Sequence, residues 1–261
     1  MCNVPQPDRC PPSSLPSACL PAWRDAVIAH EGQKRSFDDT AYITHPLAVA
    51  ETLATWGWSA KVVSIGLLHD SMEDCQWMSP QLLSERHGHD VAQSVAVLSK
   101  DKSLPKTDQG PEAKCRLALA LPKLGPTIGI VKLVDRAHNM VTATHLRREK
   151  QAALVSDARY FFSPLARQLG LSKLSAWFQS CCPVQHGLQS HEFSTLMKSF
   201  SDEGNPSAVY QTWHDNTYRF KEVVSGFPES AAKIPGRLSE QRIHSSNFPV
   251  NNYVDSLLSH Q

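Results

Sequence analysis

The chain has 261 residues, 41% hydrophobic and 20% charged, which suffices for one good-sized domain or one domain plus an appendage. Lys and Arg number 26 against 25 Asp and Glu, a balance that excludes the clustered basic footprint of a duplex nucleic-acid binder while leaving room for a small basic pocket. No run approaches the roughly 20 apolar residues of a membrane span. The N-terminus lacks a basic start before an apolar core, so no secretory signal is expected and the chain reads as cytoplasmic.

Residues 1–21 hold six of the 18 prolines and are expected to form a flexible arm. From Trp23 to about Phe178 the apolar spacing is helical. A short helix over Trp23–His30 stops near Gly32, and a loop passes through Asp38 and Asp39. Pro46 suits the first position of a helix that continues through Val49 and Leu53 to Gly57. Ser59 can cap the next helix, AKVVSIGLLHDSMED. Ser79-Pro80 opens another, closed by Gly88, and Asp90 caps a segment carrying Val91, Val95 and Leu98. Residues 99–111 are polar, with Pro105, Gly110 and Pro111, and read as a loop. Helices are expected to about Leu121, from Thr127 to about Leu146, and over about 149–169 and 172–180. No paired-strand pattern interrupts them, so the fold class is all-α.

After Cys182-Pro183 the composition turns to Ser, Asn, His and Pro, with short helical stretches near 191–200 and 207–224. The expected organisation is an arm over 1–21, a helical domain over 22–182 and a loosely structured extension over 183–261 that could serve a partner or a second copy. The seven cysteines, Cys2, Cys10, Cys19, Cys75, Cys115, Cys181 and Cys182, are odd in number and irregular in spacing, and read mostly as free thiols.

The chemistry concentrates in His69-Asp70-Ser71-Met72-Glu73-Asp74. The apolar run before it sends this helix into a core, where unpartnered carboxylates are costly. A divalent metal pairs the charges and takes their oxygens as ligands. Glu73 and Asp74 sit one turn beyond His69 and Asp70, where a base for an attacking water belongs. Further ligand candidates are Asp135, after the apolar stretch IVKLV, and His45, directed by the helix start at Pro46. Asn139 and Thr142 share the helix face of Asp135. Two imidazoles and two carboxylates suit Mn²⁺ or Fe²⁺ as well as zinc.

The segments YITHPLAVAETLA, GLLHDSMED, KLVDRAHNM and SPLARQLGL together resemble the hydrolase domain of the RelA/SpoT alarmone family, a branch of the HD superfamily. The likeness covers about 60% of the chain, from Trp23 to Trp177. It implies an HD-type helical bundle that removes pyrophosphate from the 3′ position of guanosine tetra- and pentaphosphate with one Mn²⁺. By that resemblance His45, His69, Asp70 and Asp135 bind the ion, and Glu73 and Asp74 activate or position the water. Arg35 falls where the family packs an Arg on the guanine, and Asn139 and Thr142 match residues lining the nucleotide site. SKDKSLPK, at 99–106, resembles a substrate-side loop of the small single-domain members, so that Lys100, Lys102 and Lys106 could meet phosphates. The stretch SFDDTA after Arg35 is one residue longer than the family turn. Residues 183–261 do not resemble the family's synthetase or regulatory parts. Two alternatives keep the same centre: a phosphohydrolase acting on an adenosine alarmone or the 2′-phosphate of NADPH, and a non-catalytic nucleotide sensor.

Overall fold

The computed structural model describes residues 11–35, 40–75, 77–180 and 190–225. Among these the chain is all-α, with one isolated antiparallel bridge between Lys34 and Ala41 and no strand. In chain order the helices are α1 (Leu20–Ala29), α2 (Thr44–Thr55), α3 (Ala60–Leu68), α4 (Ser71–Asp74), α5 (Pro80–His87), α6 (His89–Leu98) and α7 (Lys106–Leu124). There follow α8 (Thr127–Val141), α9 (Arg148–Asp157), α10 (Ser163–Gln168), α11 (Ser172–Ser180), α12 (Ser190–Lys198), α13 (Ser201–Gly204) and α14 (Pro206–Ser225). None of the described helices is long and apolar enough to cross a membrane.

The centre of the molecule is the antiparallel pair α2 and α3. α2 ends in Trp56-Gly57-Trp58, where the Gly57 amide donates to Ala54 and the Trp58 amide to Leu53, with Gly57 at φ 84°. This paired closure needs a left-handed residue, which glycine adopts without strain. The chain then reverses into α3, whose Val62, Val63, Ile65, Leu67 and Leu68 are all buried. Gly66 lets the two helices meet closely: a Cβ there would come 2.7 Å from Leu53 Cδ1 and 3.5 Å from the Ala50 backbone. A reversal centred near Gly57 places the start of α2 beside the end of α3, and so brings His45 next to His69. α8, apolar along most of its length, crosses both helices and supplies Asp135.

Several boundaries differ from the sequence reading, among them the helix expected over AKVVSIGLLHDSMED, which breaks at His69-Asp70 into α3 and α4, and α6, which starts at His89 after Gly88 and is not capped by Asp90. The first helix begins at Leu20, and Cys19 is fully buried with its thiol donating to the Ala60 carbonyl. Pro21 is tolerated because the first-turn amide it lacks has no intrahelical acceptor. The loop expected over 99–111 ends at Pro105, and α7 runs through Pro111 and Pro122. Burial of Leu117, Ala118, Ala120 and Leu121 overrides these local breakers, each of which removes one ladder bond. α8 ends at Val141 and gives way to a short 3₁₀ turn over Ala143–His145. The helix expected over 149–169 is interrupted by a π turn at Ala158–Phe162. Beside that turn Arg136 lies over the Phe162 ring at 4.4 Å and pairs with Asp157 at 3.4 Å.

The expected boundary at residue 182 falls within 181–189, outside the described residues. Beyond it, helices occur near both stretches read as helical, and they pack on the domain. Phe193, Met197, Phe200, Val209 and Trp213 are buried. The Trp56 indole donates to the Met197 carbonyl and the Trp58 indole to the Gly204 carbonyl, both at 2.8 Å. Gly204 lies flat against the Trp56 ring, with no room for a Cβ. Residues 226–261 and the arm before residue 11 lie outside the described residues.

The Gly66 contact is testable. Gly66→Val is expected to destabilise the fold by about 1–3 kcal/mol through overpacking, read by urea unfolding. Gly66→Ala should cost less, because the nearest atom is the mobile end of Leu53. Equal stability of all three proteins would show that α2 and α3 are not packed this closely.

Candidate metal centre

His45 enters on the first turn of α2, His69 and Asp70 at the break between α3 and α4, and Asp135 in the middle of α8. All four are buried, at 1%, 0%, 7% and 4% exposure in that order. The break has a local cause. The Ser71 hydroxyl donates to the Leu68 carbonyl, so a side chain takes over where the α3 ladder stops.

Four polar atoms converge. His45 Nε2 lies 3.1 Å from Asp135 Oδ1 and 3.5 Å from Asp70 Oδ2. His69 Nε2 lies 3.2 Å from Asp70 Oδ2 and 3.7 Å from Asp135 Oδ1. Ligand atoms of His45, His69 and Asp70 all fall within 4.8 Å of one another. Both Nε2 atoms are sealed from water and lack a hydrogen-bond partner of good geometry. His69 Nδ1 sits 2.8 Å from the Gly66 carbonyl, which can only accept. Nδ1 therefore carries a ring proton, and Nε2 is the nitrogen that faces the cluster.

The charges tell the same story. Burial pushes the His45 imidazole down, against the pull of Asp135. Burial acts on His69 too, but the carboxylates of Asp70 and Asp135 outweigh it and raise its pKa to about 10. Burial opposes ionisation of Asp70, yet the neighbouring His69 holds it below the usual carboxylate range. Asp135 is held well below that range, against burial, by Lys132 and then by the two imidazoles. Without an ion, two buried carboxylates thus stay ionised beside a protonated His69, whose Nε2 proton a divalent cation would displace. Two imidazole nitrogens facing two anionic oxygens are the donor set of a divalent cation, and the four residues fit one.

The model of the HD domain family matches residues 22–172, more than half of the chain. This chain belongs to the HD domain family. Its HD domain is 37% identical over 157 residues to a GTP pyrophosphokinase of Streptomyces antibioticus, covering 59% of this chain and 18% of that protein. It is 36% identical over 149 residues to a guanosine-3′,5′-bis(diphosphate) 3′-pyrophosphohydrolase of Haemophilus influenzae, covering 56% and 22%. A probable chloroplastic GTP diphosphokinase of Arabidopsis thaliana is 31% identical over 192 residues, covering 70% and 27%. The chain therefore spans about a fifth to a quarter of the length of these curated relatives. A solved structure of a metazoan ortholog of SpoT aligns over 72% of this chain and 96% of its own, at 18% identity and TM-score 0.47.

Around the HD centre the other expected residues fall into two groups. Glu73, on α4, accepts from the Lys100 amide at 2.7 Å and from Lys100 Nζ at 3.3 Å. Lys100 lies in the field of Glu73, Asp70 and Asp135, whose charges outweigh its burial and raise its pKa. Asp74 is in α4, but its side chain lies outside the described residues. Lys102 is exposed on the same 99–105 loop. On the other side, Arg35 donates to the Thr142 hydroxyl at 2.8 Å and lies 5.9 Å from the Tyr42 ring centroid. The Lys34–Ala41 bridge anchors it, while the lengthened turn over 36–39 lies outside the described residues. Asn139 donates to Asp135 Oδ1 at 2.5 Å, and Thr142 donates to the His138 carbonyl at 2.9 Å.

Sequence reasoning gave no role to three residues that touch the cluster. The Tyr42 hydroxyl donates to Asp70 Oδ2 at 2.7 Å. Lys132 Nζ pairs with Asp135 Oδ2 at 2.9 Å. His138 Nδ1 lies 2.8 Å from His45 Nδ1. Each stands three residues from a ligand candidate, Tyr42 before His45, Lys132 before Asp135 and His138 after it. For the two α8 residues that spacing marks a shared helix face.

A divalent ion at about 100 times its Kd should stabilise the fold by about 2.7 kcal/mol. The expected observation is a raised unfolding temperature that a chelator reverses. His69→Ala and Asp135→Asn should show no such gain, and a wild-type chain indifferent to every divalent ion tested would remove the metal reading.

Proposed function

We propose that this HD domain hydrolyses guanosine tetra- and pentaphosphate at the 3′ position, releasing pyrophosphate and leaving GDP or GTP, with Mn²⁺ as its ion. The observation that carries the reading is the convergence of two buried imidazole Nε2 atoms with two buried ionised carboxylates, one turn from Glu73. The relatives support the substrate class, since a curated protein that matches over this region carries the pyrophosphohydrolase name.

His45, His69, Asp70 and Asp135 would hold the ion, which when bound acts as a Lewis acid on the phosphate and lowers the pKa of water. The chain's own residues do the rest. Tyr42 holds the inward Oδ2 of Asp70 and Lys132 the outward Oδ2 of Asp135, so neither carboxylate can swing away. Glu73 accepts the proton of the water that attacks the phosphorus next to the 3′-oxygen, and Asp74 shares that task. The phosphorus–oxygen bond to the ribose breaks, and the 3′-oxygen leaves as a hydroxyl after taking back the proton that Glu73 or Asp74 accepted from the water. Lys100, already tied to Glu73, neutralises the phosphates as they approach. Arg35, Asn139 and Thr142 form the opposite rim, where Arg35 presents a flat cationic face to the base. The presence of Glu73 beside the centre favours an enzyme over a sensor, which has no use for a base.

Guanosine tetraphosphate incubated with Mn²⁺ and the intact chain should yield GDP and pyrophosphate. Asp70→Ala should abolish turnover, and Glu73→Ala should lower it by about 10²–10⁴-fold. Absence of turnover with the ion demonstrably bound would transfer the reading to adenosine alarmones or the NADPH 2′-phosphate, and then to a sensor. Arg35→Ala is expected to raise KM by about tenfold, the equivalent of about 1.4 kcal/mol of binding, with kcat little changed. An unchanged KM would take Arg35 out of the substrate site.

A further inference from the structure

Residues 190–216 lie beyond the span matched by the HD family model, yet they reach the metal centre through one contact. Phe193 of α12 meets the His138 ring edge-on, with centroids 4.8 Å apart. His138 in turn faces His45, nitrogen to nitrogen, at 2.8 Å. All three side chains are buried. α12 packs along α2, the helix that carries His45, and is fastened at the far end of α2 by the Trp56 indole on the Met197 carbonyl.

A hydrogen bond between two Nδ1 atoms needs the proton on one ring and the lone pair on the other. His45 can offer Nε2 to an ion only if its own proton sits on Nδ1. His45 is then the donor and His138 the acceptor, with the His138 proton on Nε2. If the His138 ring turned over, Cδ2–H would replace the Nδ1 lone pair, and His45 would lose the acceptor that keeps its proton on Nδ1. Something must therefore hold the His138 ring, and Phe193 is packed against it.

We propose that His138 is a positioning residue for His45, and that the α12 segment is built into the metal centre as the brace that keeps His138 in its accepting orientation. This rests on the metal reading of the cluster. It gives the segment after residue 190 a role in ion binding rather than that of an independent appendage.

The test is Mn²⁺ affinity of the intact chain by calorimetry without nucleotide, alongside the unfolding temperature of each metal-free variant. His138→Phe keeps a ring but removes the acceptor, and should weaken Mn²⁺ binding by about 10- to 100-fold. His138→Gln offers an amide oxygen to the same proton and should restore most of that loss. Phe193→Ala should weaken Mn²⁺ binding at a temperature where the chain remains folded. Wild-type affinity in folded His138→Phe overturns the proposal. Should that variant fail to fold, Phe193→Ala decides: a lowered unfolding temperature with unchanged affinity shows a merely structural contact and overturns the brace. Failure of the intact chain to hydrolyse guanosine tetraphosphate leaves these affinity differences standing, so it sinks the proposed reaction and not this inference. A wild-type chain that binds no Mn²⁺ sinks both.

Discussion

Two ionised carboxylates buried among apolar helices are the constraint around which this molecule is arranged. Asp70 follows α3, whose side chains are almost all in the core, and Asp135 sits in α8, which is apolar along most of its length. Neither can be left without a positive partner in such surroundings. The fold answers by bringing His45 to the same point, which requires α2 and α3 to run antiparallel at very short distance. Gly66 makes that approach sterically possible and Gly57 makes the reversal possible. Packing and electrostatics therefore meet at one place, and a change that separates α2 from α3 also dismantles the centre.

Around the convergent atoms, every candidate ligand is held by a second group. The Gly66 carbonyl fixes the His69 ring, the Tyr42 hydroxyl restrains Asp70, and Lys132 with Asn139 flanks Asp135. Such partners set tautomer and orientation before any ion arrives, so little reorganisation remains to oppose binding. Glu73 is secured differently, from the Lys100 backbone and ammonium on the 99–105 loop. The candidate base is thus coupled to a surface loop while the ligand candidates are coupled to the core. Phosphates arriving on the loop side would compete for the Lys100 ammonium and leave Glu73 held by the backbone amide alone.

Much of this was legible in the sequence because the signals were periodic. Buried apolar positions repeat at helical spacing, and His69-Asp70 closes such a run, so both the all-α class and the polar cluster follow from pattern. The ligand candidates His45 and Asp135 needed ordered motifs, since either residue alone reads equally well as local. The misread places were those where tertiary contacts overrule local preference. Gly110 and Pro111 speak for a loop, but the buried face of α7 carries the helix through them. The π turn at Ala158–Phe162 leaves no mark in the periodicity. His138 was visible only as a neighbour of Asp135, because its partners His45 and Phe193 come from distant parts of the chain.

The tail shows why a motif-bounded view of the domain is too narrow. Trp56 and Trp58 stand inside the family-matched span, and both indole N–H groups are buried. A buried donor without an acceptor is costly, and within this structure the acceptors are carbonyls of Met197 and Gly204. The same segment covers its share of core with Phe193, Met197, Phe200, Val209 and Trp213, and Gly204 is bare so that the backbone can lie on the Trp56 ring. Indoles, apolar side chains and a steric vacancy that match across a span of about 150 residues belong to one cooperative unit. The segment that looks poorest in motifs is therefore packed on the helix that presents His45, and the chemistry of the centre is supported from outside the stretch that identifies it.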